Sequence, residues 1–452
     1  MMRTRSIKRA PHDARRAGVR SLSRALKAAV LQSAAIWGAP GFARAARRAV
    51  SACGSGAPRS PGAQRRQLLV DVSIIAAHDA GTGIQRVVRS LLAQLLASPP
   101  DGFDVRPIRA TRKTPYRYAD HFLPPDAGEP QHAASAPPGE AVRVRAGDVF
   151  IGLDLTSRIV PRRQRDLLAW KRQGVRCAFV VYDLLPFQHP RWFTPRARRS
   201  FRHWLSTLAV HADELWCISR TVARETDWLM RRRFGLTNAD IAIRSFDLGA
   251  ETLGHAHAAP ASMPAQADPC RDAAHPLLLM VGTIEPRKGH AQVLDAFDAL
   301  WRDGAEVTLV VVGAPGWHVE PVVQRLQRHA QNGRRLIWLH DADDARLEAL
   351  YAQADGLVMA SEAEGFGLPI VEAARHGKPL FLRDLDVFRE VAGSHATYFR
   401  AADGGALARE LSAWLAQLAA GAAPTSGGIE PITWSASADQ LKALVAALAE
   451  AA

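Results

Sequence analysis

The sequence predicts an α/β protein built from two doubly wound, Rossmann-like domains facing a cleft. Strand-length apolar runs alternate with helical patterns in both halves of the chain. A chain of 452 residues is long enough for two such domains. Glycine-bearing loops with charged residues follow strands in both halves, where sheets of this kind bind ligands.

In the N-terminal half the first strand is Leu68-Leu69-Val70-Asp71-Val72. The loop His78-Asp79-Ala80-Gly81-Thr82-Gly83 leads from it into a helical pattern over Ile84–Leu96. Further strands are expected at Asp148–Leu153, Cys177–Tyr182 and Glu214–Ile218, with helical stretches between them. This alternation implies a parallel sheet covered by helices. The region spans 67–250 and forms the first Rossmann-like domain. Residues 251–275, rich in Ala, Pro and His, read as an interdomain linker.

Alternation then restarts over 276–430. Strands are expected at Leu277–Val281, Val307–Val312, Leu336–Leu339, Gly356–Met359 and Pro379–Leu382. Helices are expected at His290–Trp301, Glu320–His329, Ala345–Ala354 and Pro369–His376. A last amphipathic helix, about Ser435–Ala449, falls within a closing segment, 431–452.

Charge sets residues 1–66 apart as a basic N-terminal tail. They hold 15 Lys and Arg and a single acid, Asp13, which equals the whole net charge of +14. The rest of the chain is balanced, so nucleic acid is not an expected partner. Within the tail, Arg20–Trp37 has the pattern of a short amphipathic helix, and Gly54–Gly62 reads as a linker. No run reaches the roughly 20 apolar residues of a membrane span. The tail is expected to hold the protein on an anionic membrane surface, each Lys or Arg contributing about 1 kcal/mol near anionic lipid. Four cysteines without C-x-x-C spacing fit a reducing cytoplasm better than a zinc site or a disulfide framework.

Two strings carry chemistry. In Glu364-Gly365-Phe366-Gly367-Leu368-Pro369-Ile370-Val371-Glu372, glycines allow a tight turn and Pro369 suits a helix start. Glu364 then lies on a loop and Glu372 in the first helical turn, beside free N–H groups that favour an anion. In Val281-Gly282-Thr283-Ile284-Glu285-Pro286-Arg287-Lys288-Gly289-His290, adjacent Arg and Lys beside a helix start make a diphosphate receptor. Asp183 and His189 follow a strand of the N-terminal half and face the same cleft.

These two strings resemble the hallmarks of the family 4 (group 1) retaining glycosyltransferases of the GT-B fold, including the E-x7-E spacing of Glu364 and Glu372. Segments of the N-terminal half, among them Gly81–Val87, Tyr182–Pro186 and His189–Phe193, resemble bacterial polysaccharide mannosyl- and rhamnosyltransferases. The resemblance implies transfer of a hexose with retention, from a nucleoside-diphosphate sugar such as GDP-mannose to a lipid-linked glycan or growing polysaccharide. It implies a cytoplasmic enzyme peripheral to the inner membrane, with no bound cofactor. It puts Glu364 against the donor sugar and Glu372 against the ribose. Arg287 and Lys288 take the diphosphate, with Gly282 and the backbone of Gly365, Phe366, Gly367 and Leu368. Gly81 and Gly83 border the cleft, and the closing helix crosses back to the N-terminal domain. Thr283 stands where many members have arginine, and Tyr182 where many have histidine, so the usual histidine role stays unassigned; His189 either orients a substrate hydroxyl or satisfies a backbone group.

The acidic strings Asp341-Ala342-Asp343-Asp344 and Asp384-Leu385-Asp386 resemble the metal-binding D-x-D of the other major transferase fold. Helix capping accounts for the first and a solvated loop for the second, so no metal site is expected. An epimerase or sugar-phosphate synthase on the same fold, and a catalytically silent scaffold, remain open alternatives. A dinucleotide dehydrogenase is disfavoured, because Gly81-Thr82-Gly83 lacks the third glycine of G-x-G-x-x-G.

Overall fold

The computed structural model describes the backbone of residues 10–54, 65–122, 139–250 and 275–450, with side chains from Ser23 onward. Nearly all of the expected linker 251–275 and most of Gly54–Gly62 lie outside the described residues.

The chain opens with two helices, α1 (Ala10–Trp37) and α2 (Ala43–Gly54). The first sheet follows: β1 (Arg66–Asp71), α3 (Gly83–Ala97), β2 (Phe103–Arg109), β3 (Arg117–Tyr118), β4 (Val149–Gly152), α4 (Gln164–Arg172), β5 (Arg176–Val181), α5 (Leu185–Gln188), α6 (Pro195–His211), β6 (Glu214–Cys217), α7 (Arg220–Phe234) and β7 (Ala242–Ser245). Its strand order is β3-β2-β1-β4-β5-β6-β7, parallel except for the short edge strand β3. The order reverses between β1 and β4, so the loop carrying Gly81 to Gly83 leaves the sheet at its switch point.

The second sheet contains β8 (Leu277–Val281), α8 (His290–Arg302), β9 (Thr308–Val312), α9 (Glu320–Arg328), β10 (Leu336–Leu339), α10 (Asp344–Gln353), β11 (Gly356–Met359), α11 (Leu368–Arg375), β12 (Leu380–Arg383), α12 (Asp386–Ala392), β13 (Thr397–Phe399) and α13 (Gly404–Ala419). Its order is β10-β9-β8-β11-β12-β13, all parallel, with the switch point between β8 and β11. The final helix, α14 (Trp434–Glu450), leaves the second domain and packs on α3. Trp434, Leu441, Val445 and Leu448 join Val88, Leu91 and Leu95 in one apolar cluster.

The basic segment differs from its reading as a tail set apart from the body. Ala28, Ala35, Ile36, Ala46 and Val50 are fully or almost fully buried in the core cluster that also holds Trp204, Leu205 and Leu208 of α6. Arg47 donates to the carbonyls of Ala212 and Asp240. Among the described residues of the two helices, Arg24, Lys27, Arg44 and Arg48 are exposed, while the faces carrying Ala28, Ala35, Ala46 and Val50 are apolar and buried. Arg66, assigned to the tail, begins β1. No helix among the described residues is long and apolar enough to cross a membrane.

The two domains touch at several points. Gly365 lies so close to the Tyr182 carbonyl that a Cβ there would stand 2.0 Å from its oxygen. Ser219 Oγ donates to the Gly365 carbonyl at 2.9 Å. Glu390 of α12 accepts from the backbone N–H groups of Arg220 and Thr221, both at 2.7 Å, at the start of α7. Trp317 Nε1 donates to the Trp192 carbonyl at 2.6 Å.

Candidate active site

The site forms where the carboxyl ends of β8 and β11 diverge. From β8 the chain turns at Gly282 (φ 142°), passes through a short helical turn over Pro286–Lys288, and enters α8 after Gly289 (φ 77°). A Cβ at Gly289 would stand 2.4 Å from the Ala360 carbonyl oxygen, so only glycine lets this loop lie against the one after β11. That second loop carries Ser361 and Glu364 and enters α11 after Gly367 (φ 104°).

Glu364 is the hub. Its carboxylate accepts from Arg287 at 2.7 Å, Lys288 at 2.5 Å and Ser361 Oγ at 2.7 Å. Burial alone would raise its pKa, but Arg287 and then Lys288 outweigh burial and hold it down to about 2. Arg287 also donates to the Ala363 carbonyl at 3.1 Å and pairs with Glu285 at 2.8 Å. Burial opposes its charge, yet Glu364, Glu285 and Asp183 hold its pKa above the ordinary value. Arg287 has five N–H donors and Lys288 three. The contacts above leave donors on both cations for a second anion.

Asp183 stands at the N-domain side of this cluster. Its carboxylate accepts from the Leu185 N–H at 3.0 Å. Enclosure pushes its pKa up to about 6, against the pull of Arg287 and with the repulsion of Glu364 and Glu285. The structure thus gathers Arg287, Lys288, Glu364 and Asp183, which the sequence had placed on separate loops.

Glu372 lies elsewhere. Its side chain is 6% exposed and is held by Arg86 of α3, across the domain boundary. Tyr351 Oη donates to it at 2.6 Å, and Arg86 also reaches Asp344 at 3.1 Å. Arg86 is the residue that sequence reasoning missed. It lay inside the quoted string Gly81–Val87, and its signal was a charge, with Arg89 three residues on, among Ile84, Val87, Val88 and Leu91. Gly81 (φ 63°) turns the loop that leads to Thr82, the capping residue of α3. Gly83 sits across the cleft from Leu368, whose methyl would be 3.9 Å from a Cβ there. Phe366 and Leu368 pack against the N-domain cluster rather than within their own domain.

His189 does not join the carboxylate cluster. Its ring stacks on Trp192 at 4.3 Å between centroids, and burial, then Arg191, lower its pKa. His290 is also set apart: burial pushes its pKa down to about 3, so it is neutral, and Arg287 and Lys288 are the cations of the loop. Asp343 caps α10 by accepting from the Arg346 N–H at 2.7 Å. Asp384 differs from its reading as part of a solvated loop, since its side chain is 10% exposed and held by Arg389 and Arg400.

Comparison with known proteins agrees with this geometry. Residues 269–418, which include both glycine-bearing loops, match the model of the family described as glycosyl transferases group 1. The serotype-specific mannosyltransferase WbdA of Escherichia coli is 40% identical over 385 residues, which cover 83% of this chain and 44% of WbdA. The chain thus spans about half the length of the curated relatives it matches. Among solved structures, sucrose-phosphate synthase from Thermosynechococcus elongatus has a TM-score of 0.56 at 18% identity, covering 86% of this chain and 100% of that one. Anabaena HepE in complex with UDP and glucose has a TM-score of 0.51 at 15% identity, covering 86% of this chain and 98% of that one. These two likenesses show the GT-B fold. With two facing parallel-sheet domains and both loops within the matched region, the chain carries a group 1 glycosyl transferase domain over residues 269–418.

Proposed function

We propose that the chain transfers a hexose, mannose in our reading, from a nucleoside-diphosphate sugar to a lipid-linked or growing polysaccharide acceptor, with retention at the anomeric carbon. The observation that carries this is the pairing of Arg287 and Lys288 with Glu364 at the switch point between β8 and β11. Two cations with donors to spare, beside the starts of α8 and α11, suit a diphosphate leaving group whose charge grows in the transition state. Glu364 orients those cations and meets the donor sugar. Glu372 meets the ribose, with Arg86 holding it in place. Asp183 accepts a hydrogen bond from a substrate hydroxyl at the N-domain side.

As the bond to phosphate lengthens, the sugar becomes oxocarbenium-like. The acceptor hydroxyl attacks from the face the diphosphate leaves, and a phosphate oxygen takes its proton. The WbdA relatives, described as serotype-specific mannosyltransferases, support mannose, and two further relatives described as O-antigen chain mannosyltransferases support an O-antigen-type acceptor. A panel of sugar nucleotides, assayed for hydrolysis and for transfer to mannoside acceptors in excess chelator, tests the proposal. It expects one preferred donor with turnover unchanged by chelator. No turnover with any donor, or turnover that requires Mg²⁺ or Mn²⁺, contradicts it.

The reading extends to a peripheral position on an anionic membrane, now through an ordered surface. Leu26, Val30 and Phe42 are 67%, 60% and 51% exposed on the basic helical segment. Leu26→Gln with Val30→Gln should reduce sedimentation with anionic vesicles without lowering thermal stability. Undiminished sedimentation refutes the membrane role of this face.

A further inference from the structure

A cavity of about 510 Å³ opens in the N-terminal domain, separate from the Glu364 cluster. Its wall includes Arg112, Arg158, Arg162, Arg196 and Arg199. No carboxylate lines it. Among the described residues, none of the five guanidinium groups pairs with an acid. Arg162 instead lies over the Trp37 ring, 4.8 Å from its centroid, and His203 meets the same ring edge-on at 4.6 Å. All five are exposed, so water screens much of their mutual repulsion and their N–H donors stay open to a ligand. An anion suits a basin with five cations and no carboxylate on its wall, and arginine forks match phosphate oxygens in geometry.

The basin's place in the fold says which anion. Arg112 follows β2, Arg158 follows β4, and Arg196 lies on the connection after β5, so three walls stand beyond the carboxyl ends of N-domain strands. Those ends face the cleft. Arg191, which bonds Glu362 of the donor loop at 3.1 Å, is four residues before Pro195 on the basin wall. A chain segment of that length spans at most about 14 Å. At Trp37 the basin meets an exposed apolar stripe. Leu26, Val30 and Trp37 fall on one face of α1, within about 40° of each other at helical spacing. Ala28 and Ala35 occupy the opposite, buried face. Leu26, Val30 and Trp37 are 67%, 60% and 37% exposed, and Trp37 belongs to both the stripe and the basin.

Resting on the transferase reading above, we propose that this basin binds the phosphate or diphosphate ester joining the acceptor glycan to its lipid. The glycan extends toward the donor loop, and the lipid runs along the exposed face of α1. The arginines are thereby specificity-determining residues for the acceptor and take no part in bond making.

The test uses two mannoside acceptors that differ only in a diphosphate between glycan and alkyl chain. The wild-type chain should show a KM at least tenfold lower for the diphosphate acceptor. Arg158→Gln with Arg199→Gln should abolish that difference, leaving KM for the uncharged acceptor and for the donor within twofold. Equal loss on both acceptors, or none on either, overturns the proposal. Inorganic pyrophosphate is then titrated into protein saturated with nucleoside diphosphate, so that the donor site is filled. Binding to wild type and not to the double variant supports the basin; no binding to wild type overturns it. Pyrophosphate binding with a KM indifferent to the acceptor's diphosphate overturns the lipid source and leaves a soluble anion as ligand. If no sugar nucleotide supports transfer, yet a diphosphate-bearing alkyl glycoside binds wild type and not the double variant, the basin stands and the transferase reading falls.

Discussion

Replacing Glu364 with Gln removes one charge and leaves the shape of the side chain almost unchanged. In the wild type that carboxylate has its pKa drawn from 4.5 to about 2, chiefly against burial by Arg287 and Lys288. At 1.36 kcal/mol per unit, the depression corresponds to about 3 kcal/mol of folded-state stabilisation. Because the folded value lies below the unfolded one, this stabilisation is complete above about pH 4.5 and is lost as pH falls toward 2. At neutral pH the Glu364→Gln chain should therefore be less stable by up to about 3 kcal/mol. Lys288 loses its ionic partner, while Arg287 keeps Glu285. Two cations released from a competing carboxylate should hold a nucleoside diphosphate at least as tightly as before. Turnover should fall about 100-fold or more, the range for losing a group that acts on the transition state. The assays are thermal unfolding at pH 7 and pH 3, calorimetric titration with GDP, and kcat with the preferred donor. GDP affinity that collapses while kcat is retained refutes the reasoning, and so does a variant as stable as wild type at pH 7.

Glu372→Gln should weaken GDP binding tenfold or more, as expected for a buried charged hydrogen bond of about 1.5–3 kcal/mol, and unchanged GDP affinity by titration would count against the ribose role. The Asp183 carboxyl, pushed up to about 6, should impose a fall in kcat/KM as pH drops through 6. Asp183→Asn should flatten that limb of the pH profile without lowering stability at pH 7, because the wild-type carboxylate is ionised there against its enclosure. Deleting residues 1–54 should destabilise the N-terminal domain by several kcal/mol, since Ile36 and Val50 are buried in its core and each such side chain contributes about 1.5–3 kcal/mol. A deletion chain that unfolds at the wild-type temperature would restore the reading of a separate tail.

Much of the fold was legible because strong local signals agreed with the tertiary frame. Leu277–Val281, Leu336–Leu339 and Gly356–Met359 form strands with the expected bounds, being short apolar runs flanked by breakers. Weakly apolar β-branched edges were not legible. β7 (Ala242–Ser245) carries Arg244 and partly exposed residues, and β13 is three residues long. The basic segment misled for a related reason. Its charge dominates composition, while the small residues that bury it, Ala28, Ala35, Ala43 and Ala46, give a faint hydrophobic signal.

At the site, charged residue types within one string were legible, and contacts between strings were not. Nothing local announces that Arg86 meets Glu372 across 286 positions, or that Gly365 must be small to pass the Tyr182 carbonyl. Those facts arise from how two sheets meet. His290 closes the string that carries Arg287 and Lys288, and its position at the start of α8 turns it into the domain core.

The central claim is that the crevice beyond β8 and β11 receives a nucleoside diphosphate through Arg287 and Lys288. Titrating GDP and GMP into wild type and Lys288→Ala tests it most directly. The account predicts that wild type binds GDP, that Lys288→Ala loses at least tenfold in GDP affinity, and that GMP is less affected because Lys288 addresses the outer phosphate. GDP binding that is absent from wild type, or equal in the two chains, would contradict it.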